Sequence, residues 1–203
     1  MTLLLIRHGE TSLNVARVLQ PAATPLSERG IQQAEALARR LAAMNVSTIL
    51  SSDLPRALRT AQAIAAATGA RIETSALLQE RNFGDWRGQP YDGMAVNPLT
   101  MLDAPGGESA AAFEQRVALA FAHMVQLRAA VRGNLAIVTH GLVIRVMLAV
   151  HVRLPEGATG SLHLGNTSLS IIDAQPPHAA LRVNCTEHLD PSALDDANAL
   201  SGG

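Results

Sequence analysis

Histidine and arginine side chains follow three separate apolar stretches of the sequence, and they are the residues best suited to chemistry. Arg7 and His8 come directly after the first stretch, Arg56 follows the second, and His140 ends a third. Neutral imidazole is a nucleophile near physiological pH, because its unperturbed pKa is about 6.5. A guanidinium group offers a planar fork that matches two oxygens of a phosphate group. The set therefore indicates chemistry on a tetrahedral anion.

The same residues are poorly suited to a metal site. Arginine is not a metal ligand, and the positive charges of Arg7 and Arg56 would repel a cation. Neighbouring cations favour the neutral form of a free histidine, which keeps its lone pair available. Phosphoryl transfer mainly requires positioning and charge stabilisation, and this set would supply both. We therefore expect an enzyme with no metal ion and no other cofactor.

The elements around these residues predict an α/β fold. Strands are expected over short segments, most of them apolar: 2–6, 46–50, 71–74, 135–139, 169–172 and 180–183. Apolar residues at helical spacing lie between them, over 31–44, 54–65, 113–127 and 142–150. Such alternation is typical of a three-layer α/β/α sandwich with a largely parallel sheet. Ligands of such sheets collect at the carboxyl ends of the strands. We therefore expect the two histidines and two arginines to meet at one rim.

Composition excludes several functions. The chain has 203 residues, 48% hydrophobic and 16% charged, which suits one domain with a sizeable core. All 16 basic residues are arginine, so Walker A nucleotide binding, protein kinase activity and Schiff-base chemistry are excluded. A net charge of −1 and 2% aromatic residues provide neither a positive field nor stacking surfaces for nucleic acid. We expect one catalytic domain over 1–189 and a flexible tail over 190–203.

The expected location is the cytoplasm. Cys185 is the only cysteine, so no internal disulfide can form, which fits a reducing compartment. The apolar start over 1–6 is too short for a signal peptide, and no segment reaches the roughly 18 apolar residues of a membrane span. The expected partner is a small phosphorylated molecule, with no nucleic acid and no membrane. Formation of a homo-oligomer is left open.

Six sequence blocks together resemble one known family. Residues 6–11, Ile-Arg-His-Gly-Glu-Thr, resemble the signature of the histidine phosphatase superfamily, also called the phosphoglycerate-mutase-like family. Asn14 follows that signature, and further similar blocks occur in the same order: 25–30 with 33–34, 51–57 with 60–61, Glu80 with 83–88, 106–109 and 138–141. A lone Arg-His-Gly is weak, whereas ordered blocks spread over 2–173 are specific. The resemblance implies the three-layer fold given above.

The resemblance also implies a role for each site residue. His8 would become the phosphohistidine, and the phosphoryl oxygens would be bound by Arg7, Arg56 and His140, with Asn14 assisting. Glu80 would protonate the leaving oxygen and later activate water. Asp85 and Asp92 are alternative candidates for that acid.

Backbone contacts to the phosphate are expected at two glycines and excluded at one proline. Gly9 and Gly141 would allow close approach of the backbone, and the N–H after His140 would donate at a helix N-terminus. Family members often have Gln-Gly where this chain has Gln20 and Pro21. Because proline has no backbone N–H, donation to substrate by that residue is excluded.

Phosphatase activity on small phosphate monoesters is the expected function. Block 83–88 resembles the phosphatases, and the chain is short beside classical mutases, which carry extra basic segments over the pocket. A cofactor-dependent phosphoglycerate mutase is the alternative, and a non-catalytic binding module is a third hypothesis. Segments 20–25 and 79–107 are expected to frame the pocket mouth, without indicating which substrate it takes.

The remaining histidines are expected to be structural or solvent-facing, since none has the spacing of metal ligands: His123, His151, His163, His178 and His188. Cys185 is expected to be a half-buried small residue rather than a nucleophile. Residues 166–168 either support His8 from behind or simply form a turn. Glu108 and Ser109 are placed to cap the long helix that follows them.

Overall fold

A computed structural model of the chain describes residues 1–92, 94, 103–155 and 163–191. The predicted tail over 190–203 therefore lies outside the described residues beyond position 191, as do parts of the irregular segment 79–107. Six strands form a single sheet: β1 (Thr2–Arg7), β2 (Val46–Ser51), β3 (Arg71–Thr74), β4 (Asn134–Thr139), β5 (Leu169–Asp173) and β6 (Ala180–Cys185). Their order in the sheet is β3-β2-β4-β1-β5-β6.

The sheet is largely parallel, as predicted. Strands β3, β2, β4 and β1 all run in the same direction. Strand β5 is antiparallel to both of its neighbours, β1 and β6. Every strand expected from the sequence is present, although several extend one or two residues further than predicted.

Five α-helices lie within the described residues: α1 (Ser12–Val15), α2 (Glu28–Leu41), α3 (Pro55–Thr68), α4 (Ala110–Ala130) and α5 (Gly141–Val150). Ser27 caps α2, because its Oγ accepts a hydrogen bond from Gly30 N at 3.0 Å. Gly69 ends α3 with a φ of 72°, a conformation that glycine adopts without strain. Two short 3₁₀ helices are also present. Ala76–Leu78 ends just before the segment 79–107, and Gly84–Trp86 lies within it.

Two hydrophobic clusters, one on each face of the sheet, make the predicted three layers. Leu4 and Ile6 of β1 pack in a cluster with side chains of α2 and α3. Leu3 and Leu5 pack in the other cluster, with side chains of α4 and α5. Alternate residues of a strand point to opposite faces, so a strand covered on both sides is apolar throughout. This explains the uninterrupted apolar run that begins the chain.

The register of the sheet brings three strand ends together. Arg7 pairs with Thr139 at the ends of β1 and β4, and Ser51 of β2 pairs with Val138 of β4. Because these parallel strands end at the same edge, the residues that follow them share one rim. Within the described part of the chain, no helix is both long and apolar enough to cross a membrane.

Candidate active site

The backbone of His8 is held from both sides just beyond the end of β1. His8 N donates to Thr139 O at 3.0 Å, which continues the β1–β4 ladder by one residue. Its carbonyl accepts hydrogen bonds from Asn166 Nδ2 at 3.0 Å and from Thr167 N at 3.2 Å. Residues 166–168 thus form a turn and also support His8, so both interpretations of that segment hold.

The orientation of the His8 ring determines which of its nitrogens carries the lone pair. Nδ1 lies 2.7 Å from Gly9 O. A carbonyl oxygen only accepts hydrogen bonds, so Nδ1 carries the proton of this contact. The lone pair of the neutral ring is therefore on Nε2, the nitrogen that would act as the nucleophile.

Gly9 has a packing role that the sequence did not reveal. A Cβ at Gly9 would lie 2.4 Å from Gly30 O, so α2 could not approach the loop with any larger residue there. The structure thus requires glycine at this position because of α2. Close approach of Gly9 to a phosphate stays a prediction.

His140 lies beside His8, in surroundings that favour the neutral form of its ring. The two ring centroids are 5.1 Å apart, in an edge-on arrangement. Burial, followed by the positive charge of Arg56, lowers the pKa of His140 well below its usual value. Its Nε2 lies 2.9 Å from Ser52 Oγ, whereas its Nδ1 has no hydrogen-bond partner among the residues described. Nδ1 is therefore the nitrogen that would reach an anion.

Both predicted arginines are buried at the same rim. Arg7 Nη1 donates to Leu164 O at 2.6 Å. Arg56 Nη1 lies 3.5 Å from Pro21 O and 3.4 Å from Ala22 O. The 20–25 loop thus presents backbone carbonyls to Arg56 at the position where proline cannot donate.

The guanidinium of Arg56 remains charged despite its burial. Burial lowers the pKa of Arg56 to about 10, with the carboxylate of Glu80 opposing this shift and Arg7 adding to it. A pKa of that size keeps the group cationic at neutral pH. The rim therefore carries two buried positive charges, from Arg7 and Arg56, which favour a bound anion.

The side-chain oxygen of Asn14 is hydrogen-bonded to the loop that follows His8. Asn14 Oδ1 accepts hydrogen bonds from Thr11 N at 3.0 Å and from Thr11 Oγ1 at 3.1 Å, and Asn166 Nδ2 lies 3.4 Å from it. This capping box defines the short helix α1, which was not predicted. Because Oδ1 faces these donors, Nδ2 is the atom through which Asn14 would contact a phosphate.

Glu80 is the buried carboxyl group of the site. Its Oε1 accepts from Arg81 N at 2.9 Å and its Oε2 from Leu142 N at 3.2 Å. Burial raises the pKa of Glu80, although these two hydrogen bonds and the charges of Arg56 and Arg116 oppose the shift. A raised pKa suits a carboxyl group that must donate a proton near neutral pH.

The N-terminus of α5 is shared between two expected roles. Gly141 is its first residue and is buried. The next N–H, from Leu142, already donates to Glu80. Donation from Gly141 to a phosphate stays a prediction.

The alternative acids are placed differently. Asp92 is exposed and pairs with Arg17, with Oδ2 and Nε 2.6 Å apart. Asp85 is also exposed. Of the three carboxyl groups, only Glu80 is buried. Its charge acts on Arg56, and its Oε2 accepts from the backbone of α5 at Leu142. The geometry therefore favours Glu80 over Asp85 and Asp92 as the acid.

Side chains that hold the Glu80 segment were not predicted. Arg116 of α4 donates to Leu77 O at 2.9 Å and to Gln79 O at 2.7 Å, and its Nη2 lies 2.7 Å from Glu108 Oε2. Burial opposes ionisation of Glu108, but hydrogen bonds and charge from Arg116 outweigh it and lower the pKa of Glu108. Ser109 caps α4, as expected. Nothing in the sequence spacing of Arg116 and Glu108 indicates that they hold the segment before Glu80.

The described residues contain no group of three or more His, Cys, Asp or Glu side chains that could hold a metal ion. The cationic character of the rim agrees with this finding, because Arg7 and Arg56 would oppose a bound cation.

Comparison with known proteins identifies the family. The family model for the histidine phosphatase superfamily, branch 1, matches residues 3–186. A Yersinia pestis protein named probable phosphoglycerate mutase GpmB is 35% identical, covering 95% of this chain and 96% of that protein. Among solved structures, the alpha-ribazole phosphatase from Shigella flexneri is 30% identical with a TM-score of 0.77, covering 92% of this chain and 97% of that one.

A second solved relative is named as a phosphatase for a different substrate from that of the Shigella flexneri protein. The mycobacterial glucosyl-3-phosphoglycerate phosphatase, solved with VO3, is 29% identical with a TM-score of 0.73, covering 85% of this chain and 90% of that one. Relatives named for phosphatase and for mutase activity thus share this fold over nearly its whole length. The chain belongs to the histidine phosphatase superfamily.

Proposed function

We propose that the protein is a phosphatase that hydrolyses small phosphate monoesters through a phosphohistidine at His8. The observation that carries the proposal is the pairing of two features. The neutral ring of His8 has its lone pair on Nε2, and buried Arg7 and Arg56 lie at the same rim. Glu80 is a carboxyl group of raised pKa at the same site. A nucleophile, an anion clamp and a proton donor are the parts that this reaction needs.

In the first step, Nε2 of His8 attacks phosphorus and forms a P–N bond. The P–O bond to the substrate breaks, and the leaving oxygen takes the proton of Glu80. Arg7 and Arg56 would offset the charge on the phosphoryl oxygens throughout, and Nδ1 of His140 would add a further contact. Asn14 Nδ2 would assist them.

In the second step, water attacks the phosphorus of phosphohistidine. The carboxylate of Glu80, left ionised by the first step, takes a proton from that water. The P–N bond breaks, so inorganic phosphate leaves and His8 regains its lone pair on Nε2. Glu80 is then protonated again, and the cycle balances without a metal ion or other cofactor.

A mutase is the second candidate, and one observation favours it. The Yersinia pestis relative named for phosphoglycerate mutase activity shares 35% identity over nearly the full chain. In a mutase the phosphoryl group passes from His8 to a different hydroxyl group instead of to water. The two activities therefore differ only in the acceptor of the second step.

The test is product analysis with purified enzyme. A panel of phosphate monoesters, including alpha-ribazole 5′-phosphate, glucosyl-3-phosphoglycerate and 3-phosphoglycerate, is assayed for inorganic phosphate, with His8→Ala as the control. We expect phosphate release with at least one ester by the native enzyme alone. Rapid conversion of 3-phosphoglycerate to 2-phosphoglycerate with a bisphosphoglycerate primer, without phosphate release, would instead establish the mutase. A folded protein inactive on every ester would contradict the phosphatase and favour the non-catalytic binding module.

We further propose that the protein acts in the cytoplasm, on small molecules, as one catalytic domain over 1–189. The buried free cysteine Cys185 and the absence of a membrane-spanning helix among the described residues agree with this proposal. Metal independence is tested by adding EDTA to the assay, which should leave the rate unchanged.

A further inference from the structure

We propose that Gln33 is a positioning residue that determines which nitrogen of His8 carries the proton. The inference rests on the proposed role of His8 as the nucleophile. Gln33 lies on α2 and would not touch the substrate. Its effect would pass through the peptide group between Gly9 and Glu10.

The side chains of His8 and Gln33 contact opposite ends of that peptide group. Its carbonyl, from Gly9, accepts the hydrogen bond of His8 Nδ1 at 2.7 Å. Its N–H, from Glu10, donates to Gln33 Oε1 at 2.9 Å. A peptide group is planar, with its C=O and N–H pointing in opposite directions. A side chain that fixes the N–H therefore fixes the direction of the carbonyl that receives Nδ1.

The surroundings keep Gln33 in place. Gln33 is buried, with 1% of its surface exposed, and so is Glu10. Helix α2 is docked on the loop by a hydrogen bond from Ser27 N to Glu10 O at 2.9 Å and by the close approach of Gly30 to Gly9. The amide of Gln33 thus comes from a helix whose distance from the loop is fixed.

Another hydrogen bond holds the preceding peptide group, and it has a different consequence. Gly9 N donates to Thr60 Oγ1 at 3.1 Å, and Thr60 Oγ1 donates to Arg56 O at 2.8 Å. This contact ties the loop to α3 and to Arg56. It does not hold the carbonyl that receives Nδ1, so it cannot replace Gln33.

Loss of the Gln33 acceptor would free the peptide group to rotate. Nδ1 would then lose its carbonyl, and the neutral ring of His8 could place its proton on Nε2. A protonated Nε2 has no lone pair for attack on phosphorus. Groups that orient a ligand or nucleophile from behind typically contribute about 10–100-fold. We expect the rate of His8 phosphorylation to fall by that factor, with KM little changed.

The experiment compares Gln33→Met with Gln32→Met. Gln32 is the exposed neighbour on the same helix, so it is a matched control. Long-range ¹H–¹⁵N spectra of ¹⁵N-labelled protein, at a pH where the His8 ring is neutral, report the proton position, with His8→Ala to assign the signals. We expect the Nδ1–H form in the native protein and in Gln32→Met. In Gln33→Met we expect a mixture of both forms and slower phosphorylation.

Two results would overturn the inference: a native ring protonated on Nε2, or a Gln33→Met ring that stays entirely in the Nδ1–H form. If circular dichroism shows that Gln33→Met does not fold, Gln33→Glu decides, because it keeps an acceptor oxygen. We expect Gln33→Glu to retain the Nδ1–H form, and a mixed population there would contradict the role. Failure of the proposed function would appear separately, as phosphorylation that survives in His8→Ala.

Discussion

The two halves of the candidate site are positioned in different ways. The strand-end half consists of the groups at or just beyond the ends of β1, β2 and β4: Arg7, His8, Arg56 and His140. Its backbone continues the sheet, with His8 N on Thr139 O at 3.0 Å and Ser52 N on Val138 O at 2.9 Å. The acid half consists of Glu80, which lies two residues beyond a 3₁₀ turn. Its carboxylate accepts hydrogen bonds from backbone N–H groups, but the segment that carries it is held by the side chain of Arg116, which donates to Leu77 O and Gln79 O.

This contrast predicts which substitutions should affect each half of the site. A backbone placed by the hydrogen bonds of a parallel sheet keeps its position when a single side chain is removed elsewhere. A group placed by the side chains of a neighbouring helix loses its position when one of them is removed. Substitutions should therefore separate nucleophilic attack from proton transfer.

The largest separation is expected for Glu80→Gln. Removing the proton donor should slow the first step, release of the alcohol from an alkyl phosphate, by about 1,000-fold, within the range typical of general acid catalysis. The second step is the same for every ester, so leaving-group release is the rate to compare. An aryl phosphate has a good leaving group and needs little protonation, so its loss should be tenfold or less. Single-turnover rates on the two esters measure this ratio, with exposed Glu35→Gln as the control.

The pH dependence gives a second check on Glu80. Burial raises the pKa of Glu80, so the protonated form that donates is present below that pKa and is lost as pH rises through it. The kcat/KM for an alkyl phosphate should therefore fall on the alkaline side, and this limb should be missing in Glu80→Gln. Equal losses on both esters, with the limb retained, would assign the acid elsewhere.

A change in the strand-end half should affect both esters equally. Arg56→Lys keeps the charge but removes the planar fork that matches two phosphate oxygens. We expect a loss of about 100-fold in kcat/KM on alkyl and aryl phosphates alike. Exposed Arg59→Lys on the same helix is the matched control and should retain the native rate. A loss confined to alkyl esters would mean that Arg56 serves the acid instead.

The smallest effect in this comparison is expected for Arg116→Met. This change removes the hydrogen bonds to Leu77 O and Gln79 O and the ion pair with Glu108. Glu80 would lose orientation but not its chemistry, so we expect about a tenfold loss on alkyl phosphates and little on aryl phosphates. Steady-state assays beside Arg132→Met, at an exposed position, measure it. Equal losses on both esters would contradict a role limited to the acid half.

The strand-end half was largely predictable from the sequence. Apolar runs such as residues 2–6 predicted strands, and the rule that parallel strands end at one edge brought Arg7, His8, Arg56 and His140 together. Ser109 marked the start of α4 correctly, since cap preferences depend on neighbouring residues alone.

The supporting contacts could not be predicted, because they join residues far apart in the chain. Glu10 and Gln33 are 23 positions apart, and Arg116 contacts the carbonyl of a residue 37 positions away. Neither contact has a local period or spacing. Helix α1 was also missed, since a single turn of four residues carries no periodicity. The resemblance supplied Glu80 as the acid, and its burial emerged only from the fold.

The most direct test of the account is trapping of the phosphoenzyme. The native protein is mixed with a ³²P-labelled ester that it hydrolyses, quenched in alkali, digested and examined for labelled peptide. We predict an acid-labile, alkali-stable phosphate on His8, bonded through Nε2, formed fast enough to account for turnover and missing from His8→Ala. Turnover with no label at His8, or full activity in His8→Ala, would contradict the phosphohistidine mechanism.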